Sequence, residues 1–423
     1  MNFDLNALIH DINCFDRETI TARQERLKFN SLARMELFLW DLEIFLQIQM
    51  ILKDNIVLKG GAAAQFYLPI EYQRTSIDID MICATDQGAV EKALASIGGR
   101  FKSPDGLFNV RPHKPKDPKA HLPMMTYYMD VPSVCTEKEL FGRKNPGVQE
   151  IKIEFHFTDD LPALQRMTSP RIFAMETRQT YQLLPLNDLL GDKLTTLGPD
   201  TIGIPIDRED EQIKQIYDIA GLIRFNWDSI DLPTVRKAFF ARANAEARQR
   251  ALSSNMPEIF SDMLAQMKRL SCMDFENDKR LPKLINNFQS LYVRKELNRS
   301  SAEWAVIGAR IYLLLDYLRQ NMDAKQPLDR LLQCERDLEF DSLKGADRGQ
   351  IIRRFRDEFS KDFEKYSDYP AKVLKGKNPV RLMWAVVRPD NLGEIISWID
   401  NFARGTGEHD KHHPNIMTSG ADG

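Results

Sequence analysis

Residues 55–82 read NIVLKGGAAAQFYLPIEYQRTSIDIDMI, and this stretch decides the fold. One apolar run leads into Gly60 and Gly61, and a second carries Asp78 and Asp80 two residues apart. Side chains at i and i+2 of a strand share a face, so the two carboxylates point the same way. Adjacent carboxylates repel each other unless a cation lies between them, and glycine lets the backbone approach a phosphate closely. The stretch therefore predicts a metal–nucleotide site.

Composition limits the class of protein. A chain of 423 residues with 43% apolar residues is long enough for two or three domains with real cores. The net charge of −3 indicates no particular partner. Five scattered cysteines without metal-ligand spacing are typical of a reducing compartment. The N-terminus lacks the pattern of a signal peptide, and the most apolar helical run, 302–318, contains three charged residues. We expect a soluble, cytoplasmic protein without a membrane segment.

The order of elements predicts an α+β head followed by helices. Helical spacing dominates 21–52, 87–96 and 209–224, and Asn187 is a candidate N-cap for the helix that follows it. The predicted strands are 56–58, 77–83, 124–131, 148–157 and 171–177. Beyond residue 225 strand signals become sparse. The pattern predicts a head domain with a mixed β-sheet flanked by helices at 1–228, an α-helical domain at 229–404, and a disordered tail at 405–423.

Residue chemistry points to phosphoryl transfer. Asp78 and Asp80 are hard oxygen ligands that suit Mg²⁺. A two-metal site usually takes a third carboxylate from a neighbouring strand, and Glu154 is the candidate because it lies mid-strand on the polar face of VQEIKIEFHF, 148–157. Gly60 and Gly61 could present backbone N–H groups to a triphosphate.

Five blocks between about residues 40 and 225 resemble a known family. LKGGAAAQFYL, RTSIDIDM, IKIEF, LNDLLGDKLTTL and IKQIYDIAGLIR follow one another in that order. They resemble the (F/L)KGGTAL, R-x-S-x-DID, third acidic strand, (E/D)DLxxxKLxAL and R-x-KDxxDLxxLL blocks of the AbiEii/MenT-type nucleotidyltransferases. These are the toxins of type IV toxin–antitoxin systems, within the DNA polymerase β-like superfamily.

The resemblance implies roles for individual residues. Asp78 and Asp80 would be metal ligands, and Glu154 would be a third ligand or the base on the acceptor hydroxyl. Lys193 would contact the nucleotide phosphates, and Asp218 would orient Lys193 or the nucleotide.

Ser76 matches the serine that precedes the aspartate pair, and in related systems the antitoxin can modify that position. Two residues depart from the family pattern. Ala62 stands where a hydroxyl residue is usual, and Gln215 replaces the first aspartate of KDxxD.

The implied reaction moves a nucleoside monophosphate from an NTP to an acceptor with Mg²⁺ or Mn²⁺. The resemblance further implies tRNA as acceptor and a cognate antitoxin as partner. Two alternatives remain open: an antibiotic or metabolite nucleotidyltransferase, and a nucleotide-binding interaction protein without catalysis, which Ala62 and Gln215 favour.

Simpler interpretations of the same residues also remain open. Asp78, Asp80 and Glu154 could face solvent, Lys193 could be a surface lysine, and Asp218 could pair with Lys214 four residues earlier. His156 is expected to point with Glu154. The basic clusters at 236–299, with 13 Lys/Arg against 7 Asp/Glu, and 353–381, with 9 against 5, suit either RNA or ordinary solvated helix faces.

Overall fold

The structure is a computed structural model of the chain. It describes residues 3–103, 105–113, 124–140, 147–168, 172, 178–250, 252–253, 255–276, 278–340 and 345–407. Most of the strand predicted at 171–177 and the tail from 408 lie outside the described residues. Within them, no helix is both long and apolar enough to span a membrane.

In the part of the chain that the structure describes, seven strands form one mixed sheet in the order β3-β4-β5-β2-β1-β7-β6. The pairs β2–β5 and β1–β7 are parallel, and the other neighbouring strands are antiparallel. The strands are β1 (Ile56–Lys59), β2 (Asp78–Cys83), β3 (Val110–Pro112), β4 (Met124–Pro132), β5 (Val148–Phe157), β6 (Gln165–Thr168) and β7 (Thr180–Leu183). The predicted α+β class with a mixed sheet flanked by helices is confirmed.

Helices account for most of the remaining chain. They are α1 (Arg17–Leu27), α2 (Leu32–Leu52), α3 (Gly60–Phe66), α4 (Gln87–Phe101), α5 (Leu186–Leu194), α6 (Glu209–Asn226), α7 (Leu232–Gln249), α8 (Met256–Cys272), α9 (Arg280–Tyr292), α10 (Ser301–Arg319), α11 (Gln326–Asp337), α12 (Gly345–Phe363), α13 (Ala371–Leu374), α14 (Pro379–Val386) and α15 (Leu392–Gly407).

Local details differ from the predicted elements. The helix predicted over 21–52 is broken by Lys28, whose φ of 57° is left-handed, and restarts after the N-cap Ser31. Asn187 is not an N-cap: α5 begins earlier, after Pro185, and Asn187 instead accepts a hydrogen bond from the Asp231 backbone N–H. Strands β6 and β7 were not predicted, because four residues carry too little pattern. Helix α15 continues to Gly407, so 405–407 are helical.

The chain divides into two compact units. The first is Met1–Gln266 with Asp278–Arg299, and the second is Met267–Asn277 with Ser300–Gly423. This division does not coincide with the predicted boundary at 228/229, because α7 packs tightly on α5 within the first unit. A Cβ on Gly191 of α5 would lie 2.8 Å from the Ala238 Cβ of α7.

The sheet of the first unit has one apolar and one polar face. Helices α2 and α4 cover the apolar face: Gln149 of β5 donates to Glu36 of α2, and Tyr127 of β4 donates to Glu91 of α4. This face is filled by the fully buried side chains of Ile79, Met81, Ile151, Ile153 and Phe155. The alternate residues of the same strands form the polar face, which carries the candidate site.

Candidate active site

Strand register brings the three predicted carboxylates together. Strands β2 and β5 run parallel, with Asp80 opposite Glu154 and Asp78 opposite Lys152. Neighbouring strands lie about 4.8 Å apart, so side chains on one face of such pairs are within contact range. All three carboxylate residues are half-buried on the polar face, as the alternation of 148–157 predicted for Glu154.

Gly60 allows the backbone to approach Asp80. Its φ is +70°, a conformation that disfavours any residue with a Cβ, and a Cβ there would lie 2.0 Å from Asp80 Oδ2. Gly61 also lies close to the side chains of Arg74 and Ser76. A Cβ added to it would lie 2.7 Å from Arg74 Nη2 and 3.0 Å from Ser76 Oγ. The two glycines therefore fit against acidic and basic groups of the site; their contact with phosphate stays a prediction.

The carboxylates perturb one another. Burial, followed by the charges of Glu154 and Asp78, raises the pKa of Asp80 to about 7. Burial also raises the pKa of Asp78. Burial opposes ionisation of Glu154 as well, but the Lys152 ammonium, with hydrogen bonds from Asp80 and Thr126, holds the pKa of Glu154 below its usual value. Lys152 Nζ lies 2.8 Å from Glu154 Oε1.

The donor set fits a divalent cation in part. Asp78 and Asp80 supply the hard oxygens that Mg²⁺ prefers. The Lys152 ammonium is attracted to the same carboxylates, so it already places one positive charge where a metal ion would bind. In the described ranges, no three or more His, Cys, Asp and Glu side chains converge on one point where they could hold a metal ion. The role of Glu154 as a third ligand stays a prediction.

Lys193 and Asp218 meet in a buried network behind Gly61. Lys193 Nζ donates to Asp218 Oδ2 at 2.8 Å, and the two residues are 1% and 0% exposed. Arg74 adds a bidentate pair to the same carboxylate, with Nε at 2.8 Å and Nη2 at 2.6 Å. Burial would raise the pKa of Asp218, but Arg74 and Lys193 together hold it below its usual value. The interpretations of Lys193 as a surface lysine and of Asp218 as a partner of Lys214 are wrong.

Gln215 fills the position where the resembling family has aspartate. Its Oε1 accepts a hydrogen bond from Lys193 Nζ at 2.7 Å, so a neutral oxygen replaces a charged one without loss of the contact. Burial, with the positive charge of Arg74, lowers the pKa of Lys193 despite its pairing with Asp218. The network holds two cations, Arg74 and Lys193, against the single carboxylate of Asp218.

A second cluster on the polar face was not predicted as part of the site. Asp192 of α5 accepts from Lys59 Nζ at 3.1 Å and pairs with Arg242 Nε at 2.9 Å. Arg242 also donates through Nη2 to His156 Nδ1 at 3.1 Å. Burial, with Lys59 and Arg242 nearby, lowers the pKa of His156 well below its usual value, so the ring is neutral and carries its proton on Nε2.

Only part of this second cluster had a sequence signal. The alternation of β5 placed His156 with Glu154, and Asp192 directly precedes Lys193. Arg242 had no signal, because it reaches the face only through the packing of α7 on α5.

The face therefore combines two groups that suit a metal–nucleotide complex: half-buried carboxylates for a divalent cation, and cations at their margin for phosphate. Ser76 is 5% exposed, and Ala62, at 2%, supplies no hydroxyl. Accessibility of Ser76 to a modifying enzyme stays a prediction.

Two solved structures are similar to the chain. One is a candidate nucleotidyltransferase from H. pylori, with 14% identity, a TM-score of 0.38, and coverage of 68% of this chain and 96% of the other. The second is MenT4, a nucleotidyltransferase toxin from Mycobacterium tuberculosis H37Rv, with 14% identity, a TM-score of 0.38, and coverage of 72% and 99%. None of the curated proteins matches this chain in sequence.

The model of one protein family matches residues 44–306, which is more than half of the chain. That family is described as the nucleotidyl transferase AbiEii toxin of type IV toxin–antitoxin systems, and the matched range contains every residue of the two clusters on the polar face and of the buried network. The chain belongs to the AbiEii family of nucleotidyltransferase toxins.

Proposed function

We propose that this chain transfers a nucleoside monophosphate from an Mg²⁺-bound NTP to the 3′ end of a tRNA, with release of pyrophosphate. The observation that carries the proposal is the approach of Gly60 to Asp80 on a face where Asp78, Asp80 and Glu154 are neighbours. A divalent cation held there would offset negative charge on the reacting phosphate, as Mn²⁺ also could.

The chain's own residues would take distinct roles. Asp78 and Asp80 would hold the cation, and Gly60 and Gly61 would leave room for the triphosphate. Lys193 is 1% exposed, so its action on the nucleotide phosphates would require the contacts to Asp218 and Gln215 to open. With those contacts in place, Lys193 acts at a distance, as a fixed positive charge behind Gly61.

Gln215 favours catalysis over mere nucleotide binding. A degenerate site would be expected to lose the contact that the family's aspartate makes, whereas Gln215 keeps a hydrogen bond to Lys193. The neighbouring Asp218 is fully paired and ordered by Arg74. The replacement therefore leaves the geometry around Lys193 intact.

An RNA acceptor finds more support in the first unit than in the second. Lys59, Lys152 and Arg242 lie on the polar face itself. These three cations also have acidic partners, but they adjoin the carboxylates of the site. In 353–381 most cations have acidic partners as well, which favours ordinary helix faces there. The pairs are Arg354–Glu358, Lys365–Glu394, Lys375–Asp357, Lys377–Asp274 and Arg381–Asp274.

The test is transfer of label from α-³²P NTPs to total RNA in the presence of Mg²⁺. Wild-type protein should label a band of tRNA size, and Asp80→Asn should abolish the label. Lys92→Met, a change of an exposed lysine of α4, is the matched control and should leave transfer unchanged. Full activity of Asp78→Asn and Asp80→Asn would contradict the proposal, as would labelling of a small molecule in place of RNA.

A cognate antitoxin is the proposed protein partner, as the family assignment implies. Co-expression with the product of the adjacent gene should suppress growth arrest by this chain. Growth arrest that persists unchanged would contradict this part of the proposal.

A further inference from the structure

Lys152 stands among the carboxylates of the site, where a second cation would be expected. It lies opposite Asp78 in the β2–β5 register and shares the polar face with Glu154, two residues along β5. Its Nζ is 2.8 Å from Glu154 Oε1, and the side chains of the pair are 28% and 15% exposed. Its charge also acts on Asp78 and Asp80.

The Oε1 atom of Glu154, which pairs with Lys152, has no lone pair left for a further ligand. Thr126 Oγ1 donates to the same Oε1 at 3.1 Å, so this atom accepts from both Thr126 and Lys152. A carboxylate oxygen offers about two lone-pair sites. A metal ion could coordinate Glu154 Oε1 only by displacing one of these two donors, and the Glu154 carboxylate also has a hydrogen bond with the Asp80 side chain.

Charge balance leads to the same conclusion. Among the four side chains of β2 and β5, Asp78, Asp80 and Glu154 carry three negative charges when ionised, and Lys152 returns one positive charge, which leaves two. One divalent cation balances that remainder. A second divalent cation would face both the Lys152 ammonium and an excess of positive charge, and like charges repel strongly at short range in a partly buried site.

We propose that Lys152 takes the place of the second metal ion, so that this site binds a single divalent cation through Asp78 and Asp80. Glu154 serves as the counter-ion that holds Lys152 in position, and is not a metal ligand in the wild-type protein. The inference rests on the proposed function, since it concerns the cation of the same site. It replaces the predicted three-carboxylate ligand set with two carboxylates and an ammonium group.

The test counts bound Mn²⁺ per full-length chain from the EPR signal of the free ion, with no nucleotide present. Wild type should bind one ion. Lys152→Met removes the charge at similar side-chain length and should bind two, because Glu154 becomes available. Glu154→Gln should bind one, and the double variant Lys152→Met/Glu154→Gln should return from two to one. Lys92→Met is the matched control and should bind one.

Two ions in the wild type would overturn the inference, and so would a single ion in Lys152→Met. Circular dichroism and thermal unfolding of each variant identify a loss of fold, and a folded Lys152→Gln can replace a variant that fails. Because the measurement involves neither NTP nor acceptor, it is independent of the transfer assay. A protein that binds Mn²⁺ as expected but labels no RNA would contradict the proposed function and leave the metal count intact.

Discussion

Arg74 and Asp218 form a bidentate ion pair with both residues almost completely buried, at 2% and 0% exposure. Asp218 accepts in addition from Lys193 and, at 3.3 Å, from Gln65. The Asp218 carboxylate of α6 thus connects the loop before β2, α3 and α5. Its first role is to fix the positions of two cations behind the glycine pair.

Removal of Arg74 should destabilise the protein strongly. Arg74→Ala leaves Asp218 with less compensation in the interior, and loss of one partner of a buried pair costs about 3–5 kcal/mol. Urea unfolding measures the change. Arg166→Ala is the control, because the Arg166–Asp54 pair is exposed and should cost no more than about 1 kcal/mol. Equal losses in the two variants would contradict the structural role of Arg74.

Gln215 should contribute through its hydrogen bond to Lys193. Gln215→Leu leaves a buried ammonium N–H without that acceptor, and we expect a loss of about 1–3 kcal/mol in the free energy of unfolding. Gln215→Asp should be at least as stable as wild type and should keep transfer activity, because it supplies a charged acceptor to a network with excess positive charge. Inactive but folded Gln215→Asp protein would contradict this assignment.

Gly60 should be intolerant of any side chain. Gly60→Ala places a methyl group against the Asp80 carboxylate at a φ of +70°, and displacement of a catalytic group by about 1 Å can cost about 100-fold in rate. The initial rate of label transfer measures the loss. Gly99→Ala is the control: in the described part of the chain a Cβ there meets nothing within 4 Å. It lies in α4 and should leave the rate unchanged, with stability equal or up to about 1 kcal/mol higher.

Asp41 should make stability depend on pH. It is 1% exposed, and neither of its carboxylate oxygens has a hydrogen-bond partner in the part of the chain that the structure describes. Burial, followed by the charges of Asp78 and Asp80, raises the pKa of Asp41 well above its usual value. Above about pH 4 the unfolded chain loses this proton while the folded protein retains it, so the group destabilises the fold increasingly as pH rises.

Asp41→Leu should therefore gain stability relative to wild type at pH 8 and show much less gain at pH 4. Urea unfolding of both proteins at the two pH values measures the difference. Packing effects of the larger side chain should be nearly equal at both pH values, so they cancel in the comparison. A gain that is independent of pH would show that Asp41 does not titrate in this window.

The sequence was informative where short-range periodicity determines geometry. Alternation along β5 predicted that Lys152, Glu154 and His156 share a face, and the i, i+2 spacing predicted the same for Asp78 and Asp80. Local pattern could not predict the partners across the fold. The burial of Lys193 depends on Asp218, 25 positions later by residue number, and Arg242 reaches His156 from a helix that read as part of another domain.

Two polar residues have a partner that the sequence did not predict. Asn187 has the residue type of an N-cap, yet the start of α5 was set by Pro185 and Asn187 was used in a contact to Asp231. Glu154 has the type and position of a metal ligand, and its ion pair with Lys152 of the same strand adds a second role that the prediction did not include. A tertiary partner decides the role of Asn187, and a neighbour on the same strand gives Glu154 its ion pair, so residue type alone does not determine the role of a polar side chain.

The packing of α7 on α5 also determines which segments of this protein can be exchanged between relatives. A recombination event near residue 228 would separate Arg242 from Asp192 and His156, and would uncover the surface of Gly191 that α7 fits. Crossovers that preserve the polar face must fall beyond α7, which ends at Gln249. Inheritance should therefore carry the sheet and α7 as one block, and a crossover after Arg299 would in turn separate Asp274 from its partners Lys377 and Arg381.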